Sequence, residues 1–148
     1  MENKEARQFL NQLLANLHVM YVKLHRYHWL IQGPHFFALH EKFEELYNEV
    51  AEDLDLVAER ILSIECIPIA TMSKFLDIAT LKEAQTESHE EEILTQLKKD
   101  YEQLIQEIKD GIGSLETTHD EPTLDMLITL QGKYEKHVWM LRAILAKE

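Results

Sequence analysis

Five side chains capable of binding a transition metal fall within 32 residues: His28, His40, Glu44, Asp55 and Glu59. Mixed imidazole and carboxylate donors suit iron, zinc or manganese. His40/Glu44 and Asp55/Glu59 are each spaced i, i+4, so on a helix the members of each pair share a face. Any one such pair is commonplace on a solvated helix. The set of four says more. With His40 at zero and about 100° per residue, Glu44 falls near ~40°, Asp55 near ~60° and Glu59 near ~100°. All four lie in one sector.

Length sets a limit on what they can do together. His40 and Asp55 stand about 22 Å apart along one straight helix at 1.5 Å per residue. A single metal ion cannot touch both. Either these are two unrelated half-sites, or a second chain lies antiparallel to the first. The numbering favours the second. His40/Glu59 and Glu44/Asp55 share one midpoint, between Glu49 and Val50. A twofold crossing there sets His40 and Glu44 of one chain against Asp55 and Glu59 of the other, and twofold pairing is the commonest oligomer geometry. Asn48 and Ala51 flank the crossing and are compact enough for close approach.

The elements that hold these residues follow from apolar periodicity. The first helix is expected from Lys4 to Leu30 and the second from Phe36 to Ile64, with the break at Gly33-Pro34 folding His28 back beside His40. In the second helix the stripe of Leu39, Phe43, Leu46, Val50, Leu54, Val57 and Ile61 is the core face, so the ligands line a flank. Residues 66–88 read as a long connection with a short helix from Lys74 to Ile78. A third helix is expected from Ser88 to Leu115, frayed at Gly111 and Gly113. The fourth starts near Pro122. Two hairpins joined by a crossover give an all-α, up-down-down-up four-helix bundle with an extra short helix in the crossover. The 148 residues make one domain, spanning 1–148.

Bulk properties narrow the function. A net charge of −12 opposes phosphate binding and favours gathering cations. Cys66 is the sole cysteine, which excludes an intrachain disulfide and fits a reducing compartment. The first residues lack a signal-peptide core, and no apolar run approaches membrane-spanning length. The expectation is a cytoplasmic protein with no membrane or nucleic-acid partner.

The run HWLIQGPHFFALHEKFEELYNEVAEDLDLVAERI, from His28 to Ile61, closely resembles the Dps family, the mini-ferritins. The matching residues are His28-Trp29, Gly33, Leu39-His40 with Phe43, and Asp55 with Ala58-Glu59-Arg60. Asp125 to Ile128 and Lys136 to Leu141 are also similar to the family, so the resemblance covers essentially the whole chain. It implies a ferritin-like fold assembled as a hollow homododecamer. It also implies Fe(II) oxidation, preferably by hydrogen peroxide, and storage of the ferric product. His28, His40 and Glu44 would come from one chain and Asp55 and Glu59 from its twofold partner. Many relatives have Asp where this chain has Glu44. The resemblance further places Trp29 beside the site, and it suggests acidic threefold pores with Asp125 as the best match and Asp120 and Glu121 just before it. Glu45, Glu49 and Glu52 are candidates for nucleating mineral.

Three other readings compete. A ferritin-type di-iron site inside one bundle needs Glu-x-x-His pairs on two helices; the only such spacing is Glu116 to His119. DNA compaction, the activity that named the family, is the runner-up function, but neither terminus is a basic tail. A helical scaffold without chemistry predicts that replacing His40 or Asp55 changes nothing.

Overall fold

A computed structural model describes residues 3–147. It contains α1 (Lys4–Leu30), α2 (Phe36–Ser63), the short α3 (Met72–Ile78), α4 (Glu90–Leu115) and α5 (Glu121–Leu145), with a 3-10 turn at Glu116–Thr118. α1 packs along α2 and α4 along α5, and the crossover carrying α3 returns over α1. This is the expected up-down-down-up bundle. No helix among the described residues is long and apolar enough to cross a membrane.

The core forms where the apolar stripes meet. Leu10, Leu14, Leu17, Met20 and Leu24 of α1 face Phe43, Val50 and Ile61 of α2, with Ile93 and Leu97 of α4 and Tyr134 of α5. Each such aliphatic side chain stabilises the fold by roughly 1.5–3 kcal/mol when fully buried.

α1 is buried on more than its apolar stripe, because the crossover lies against it. Three polar side chains of α1 satisfy crossover backbone that would otherwise be buried unpaired. Asn11 Oδ1 accepts from the Ile69 N–H at 2.9 Å. Asn16 Oδ1 accepts from the N–H groups of Thr80 at 2.8 Å and Leu81 at 3.0 Å. Lys23 Nζ donates to the Lys82 carbonyl at 2.8 Å.

The boundaries differ from expectation where tertiary contacts intervene. α2 ends at Ser63, with Ile64 as its cap. α3 begins two residues early because the Thr71 hydroxyl caps it, accepting from the Lys74 N–H. α4 starts at Glu90, since Ser88 and His89 are held extended by pairing with Gln32. α5 starts at Glu121 behind an Asp120 cap.

The expected fraying at Gly111 and Gly113 does not occur; α4 continues to Leu115. Gly111 is instead a point of close approach, where a Cβ would lie 2.6 Å from the Phe9 ring. Gly113 meets nothing within 4 Å. The two glycines should therefore respond oppositely to alanine. Gly113→Ala should raise the urea midpoint, by up to about 1 kcal/mol from helix propensity. Gly111→Ala should lower it, by about 1–3 kcal/mol of overpacking less that same propensity gain.

Candidate metal centre

The turn between α1 and α2 brings His28 and His40 face to face. Their rings stack at 3.8 Å with planes 11° apart. His28 Nδ1 lies 2.6 Å from the His40 carbonyl oxygen, and His40 Nδ1 lies 2.7 Å from the His28 carbonyl oxygen. A carbonyl only accepts, so each Nδ1 must carry the proton and donate. Each Nε2 is left with a free lone pair. Orienting an imidazole through its second nitrogen is how proteins prepare a metal ligand. His28 is 6% exposed, so its ring has almost no freedom to turn away.

Neighbours complete the half-site. Glu44, one turn beyond His40, places Oε1 3.8 Å from His28 Nε2. Phe36 stacks on His40 at 5.1 Å. Tyr47 meets His28 edge-on at 5.4 Å and stacks on His25 at 3.7 Å. Phe36, Tyr47 and His25 were not singled out from the sequence. On the α2 wheel Tyr47 falls near ~340°, between the core stripe and His40. Trp29 is 67% exposed, and its ring lies 5.4 Å from that of His25.

Asp55 and Glu59 are exposed on the far half of α2. Among the described residues neither carboxylate has a hydrogen-bond or ion-pair partner. No three His, Cys, Asp or Glu side chains among the described residues are grouped to hold a metal ion. One chain thus pairs His28 with His40 and places Glu44 nearby, short of a three-ligand group, and Asp55 and Glu59 lie further along α2.

The bundle interior is engaged otherwise. Asp100 pairs with Lys23 at 2.7 Å. Asp53 accepts from Lys133 and from the Tyr134 hydroxyl, the latter at 2.8 Å. Burial pushes the Asp53 and Asp100 carboxyls up, against the pull of those ammonium groups. Glu116 to His119 forms an exposed turn with His119 at φ 58°, not a helical ligand pair.

The acidic candidates divide by surroundings. Glu45 and Glu52 are exposed. Glu49 is half-buried, 2.6 Å from His137 Nε2, which ties it to α5. Glu121 and Asp125 are exposed. Asp120 is committed to structure: it caps α5 through Thr123 and accepts from Arg60 Nη2 at 3.0 Å.

Comparison with known proteins decides the family. The ferritin-like domain model matches residues 7–148. The chain is 44% identical over 143 residues to "DNA protection during starvation protein 2" of Bacillus anthracis, covering 97% of this chain and 98% of that protein. The crystal structure of Dps from Staphylococcus aureus superposes with a TM-score of 0.92 at 38% identity, covering 95% of this chain and 94% of that one. A structure of Dps from Listeria innocua soaked with zinc gives 0.92 at 40% identity, covering 95% and 96%.

The chain belongs to the Dps family. In this Dps protein lysines pair with acids in the bundle interior and two imidazoles face each other at the α1–α2 turn. The Arg60–Asp120–Thr123 link fixes the end of α2 that carries Glu59 to the start of α5. Burial alone would raise the Asp120 carboxyl, but hydrogen bonds from Thr123 and the Arg60 charge hold it below the usual range. A depressed carboxyl adds stability above its unfolded value and loses it as pH falls through the folded one. Asp120→Asn should therefore be less stable than the parent at neutral pH. The difference should shrink as unfolding is measured at successively lower pH below about 4, where free aspartate itself titrates.

Proposed function

We propose that this Dps protein is a ferroxidase that stores iron. Fe(II) binds where His28, His40 and Glu44 of one chain meet Asp55 and Glu59 of a twofold partner. The carrying observation is the reciprocal Nδ1–carbonyl pair, which leaves an Nε2 lone pair on each of two stacked rings at the α1–α2 turn. The zinc-soaked Listeria relative supports a metal role for the fold.

Exposed apolar residues support the same crossing. On the α2 wheel Phe37 falls near ~60° and Leu62 near ~40°, within the ligand sector. Phe37 is 85% exposed and Leu62 57% exposed. Their midpoint is again between Glu49 and Val50, so the twofold that joins the half-sites also lays Phe37 against Leu62 of the partner. Burying such residues drives association.

The chemistry is a two-electron step. Two Fe(II) ions and two protons react with hydrogen peroxide to give two Fe(III) ions and two water molecules, and no hydroxyl radical leaves. The carboxylates stabilise the rising charge, and the imidazoles retain Fe(II) beforehand. Glu44 has a longer arm than the Asp of many relatives, and its distance from His28 suits a ligand that closes on the ion as it binds. In the hollow dodecamer, Fe(II) enters through acidic pores lined by Asp125 and Glu121. Asp120 is already engaged by Thr123 and Arg60, so the pore role is assigned first to Asp125 and Glu121. Ferric ions then pass to exposed acids such as Glu45 and Glu52. The work is cytoplasmic protection against peroxide and free iron. Direct DNA contact is disfavoured by a charge of −12 per chain.

Co-refolding tests the shared site. His28→Ala/His40→Ala chains and Asp55→Ala/Glu59→Ala chains should each oxidise Fe(II) with peroxide at least about tenfold slower than the parent. Verified mixed assemblies should recover activity, because each mixed dimer holds one intact centre. Recovery absent from such assemblies would sink the interface model.

A further inference from the structure

The α1–α2 turn is held from outside by α4. Gln32 donates its N–H to the Ser88 carbonyl at 2.8 Å, and the Glu90 N–H donates to the Gln32 carbonyl at 3.0 Å. Beside this bridge the Glu90 carboxylate accepts from both donors of His35, the backbone N–H at 2.5 Å and Nδ1 at 2.7 Å. His35 immediately precedes α2 and provides no side-chain cap of its own. A carboxylate from another helix thus takes a donor at the entrance to α2, where backbone N–H groups lack intrahelical partners.

Gly33 is shaped for this contact. Its φ of 154° lies where L side chains rarely go, and a Cβ there would overlap the Glu90 side chain. Two residues far apart in sequence are thus matched to one another. Burial would raise the Glu90 carboxyl, but the His35 hydrogen bonds hold it below the usual glutamate range.

From here a short line of contacts leads to the half-site. His35 is followed by Phe36, which stacks on His40, which stacks on His28. The reciprocal bonds between those histidines need the two helix ends in one relative position. We propose that Glu90 is a positioning residue for the His28/His40 metal half-site, acting through His35 and the start of α2. This rests on the reading of His28 and His40 as metal ligands. Glutamate suits the role better than glutamine, because two donors converge on it and only a carboxylate accepts with both oxygens.

The alternative role for Glu90 is merely an acid in the first turn of α4, favoured by the helix dipole. Glu91 has that position too, but its partner is Lys147, on the protein surface. Co(II) titration of the assembled full-length protein, read by its visible d–d bands, separates the two roles. Glu90→Ala should weaken Co(II) binding about tenfold or more and alter the bands, as loss of a ligand-orienting contact does. Glu90→Gln should fall between Glu90→Ala and the parent. Glu91→Gln should stay within about twofold of the parent, since it removes a dipole charge and no ligand-orienting contact. Parent-like affinity and bands in Glu90→Ala would overturn the proposal; so would Glu91→Gln matching its loss. If Glu90→Ala does not assemble, the isosteric Glu90→Gln protein decides by the same comparison. His28→Ala/His40→Ala serves as the reference: undiminished Co(II) binding there refutes the metal-site reading itself, a separate failure.

Discussion

Each of two imidazoles gives its Nδ1 proton to the backbone carbonyl of the other, and much of this chain's architecture serves that exchange. It fixes both tautomers and both ring planes at once. It also demands that the last turn of α1 and the first turns of α2 meet in one register. A hairpin turn of five residues, Ile31 to His35, would not hold that register on its own. The crossover supplies the rest. Lys23, Arg26 and Tyr27 of α1 bind residues 82, 85 and 87 of the crossover. The strand-like pairing of Gln32 with residues 88–90 then fixes the turn to the start of α4. The longest irregular stretch of the chain is thereby an anchor for its most regular piece of chemistry.

The rigidity of α2 imposes the second constraint. A helix of 28 residues without a Pro or Gly in it lacks the commonest sites of a sharp kink. Imidazoles at one end and free carboxylates at the other stay about two dozen ångströms apart, following the 1.5 Å rise. The same stiffness gives precision: a twofold axis through one point of a straight helix sets every symmetric pair in register together. The proposed ligands and the exposed Phe37 and Leu62 share that one midpoint.

Much of this was legible because it depends on periods within one element. The four long helices, the core stripe of α2 and the ligand sector all follow from rotation per residue. What escaped the sequence depends on residues far apart in the chain. Asn11, Asn16 and Lys23 interrupt the apolar pattern of α1 and read as polar surface. They are buried because crossover backbone needs partners. Gly111 resembles a helix breaker until Phe9 is seen against it. Asp120 resembles a free acid before α5 until Arg60 reaches it from α2. In each case the local residue type is correct and its partner lies 56 or more positions away.

The interior acids Asp53 and Asp100 are already paired with lysines, which leaves the proposed metal site to the surface. Asp53 and Asp100 lie almost fully buried, where an unpaired carboxylate would be strongly disfavoured. Lys133 and Lys23 supply the compensating charge, and Tyr134 and Gln96 take further carboxylate lone pairs. A divalent ion entering there would have to expel an ammonium group into a low-dielectric core, leaving it unpaired or neutralised. The carboxylates of α2 that remain free of cations are those on its exposed flank. An exposed carboxylate alone holds a metal weakly, because water and salt screen it. It becomes a strong ligand when a second surface excludes that water. Filling the core with paired charge therefore leaves the acids of the proposed site on the exposed flank of α2, where, in the proposed assembly, another subunit completes it.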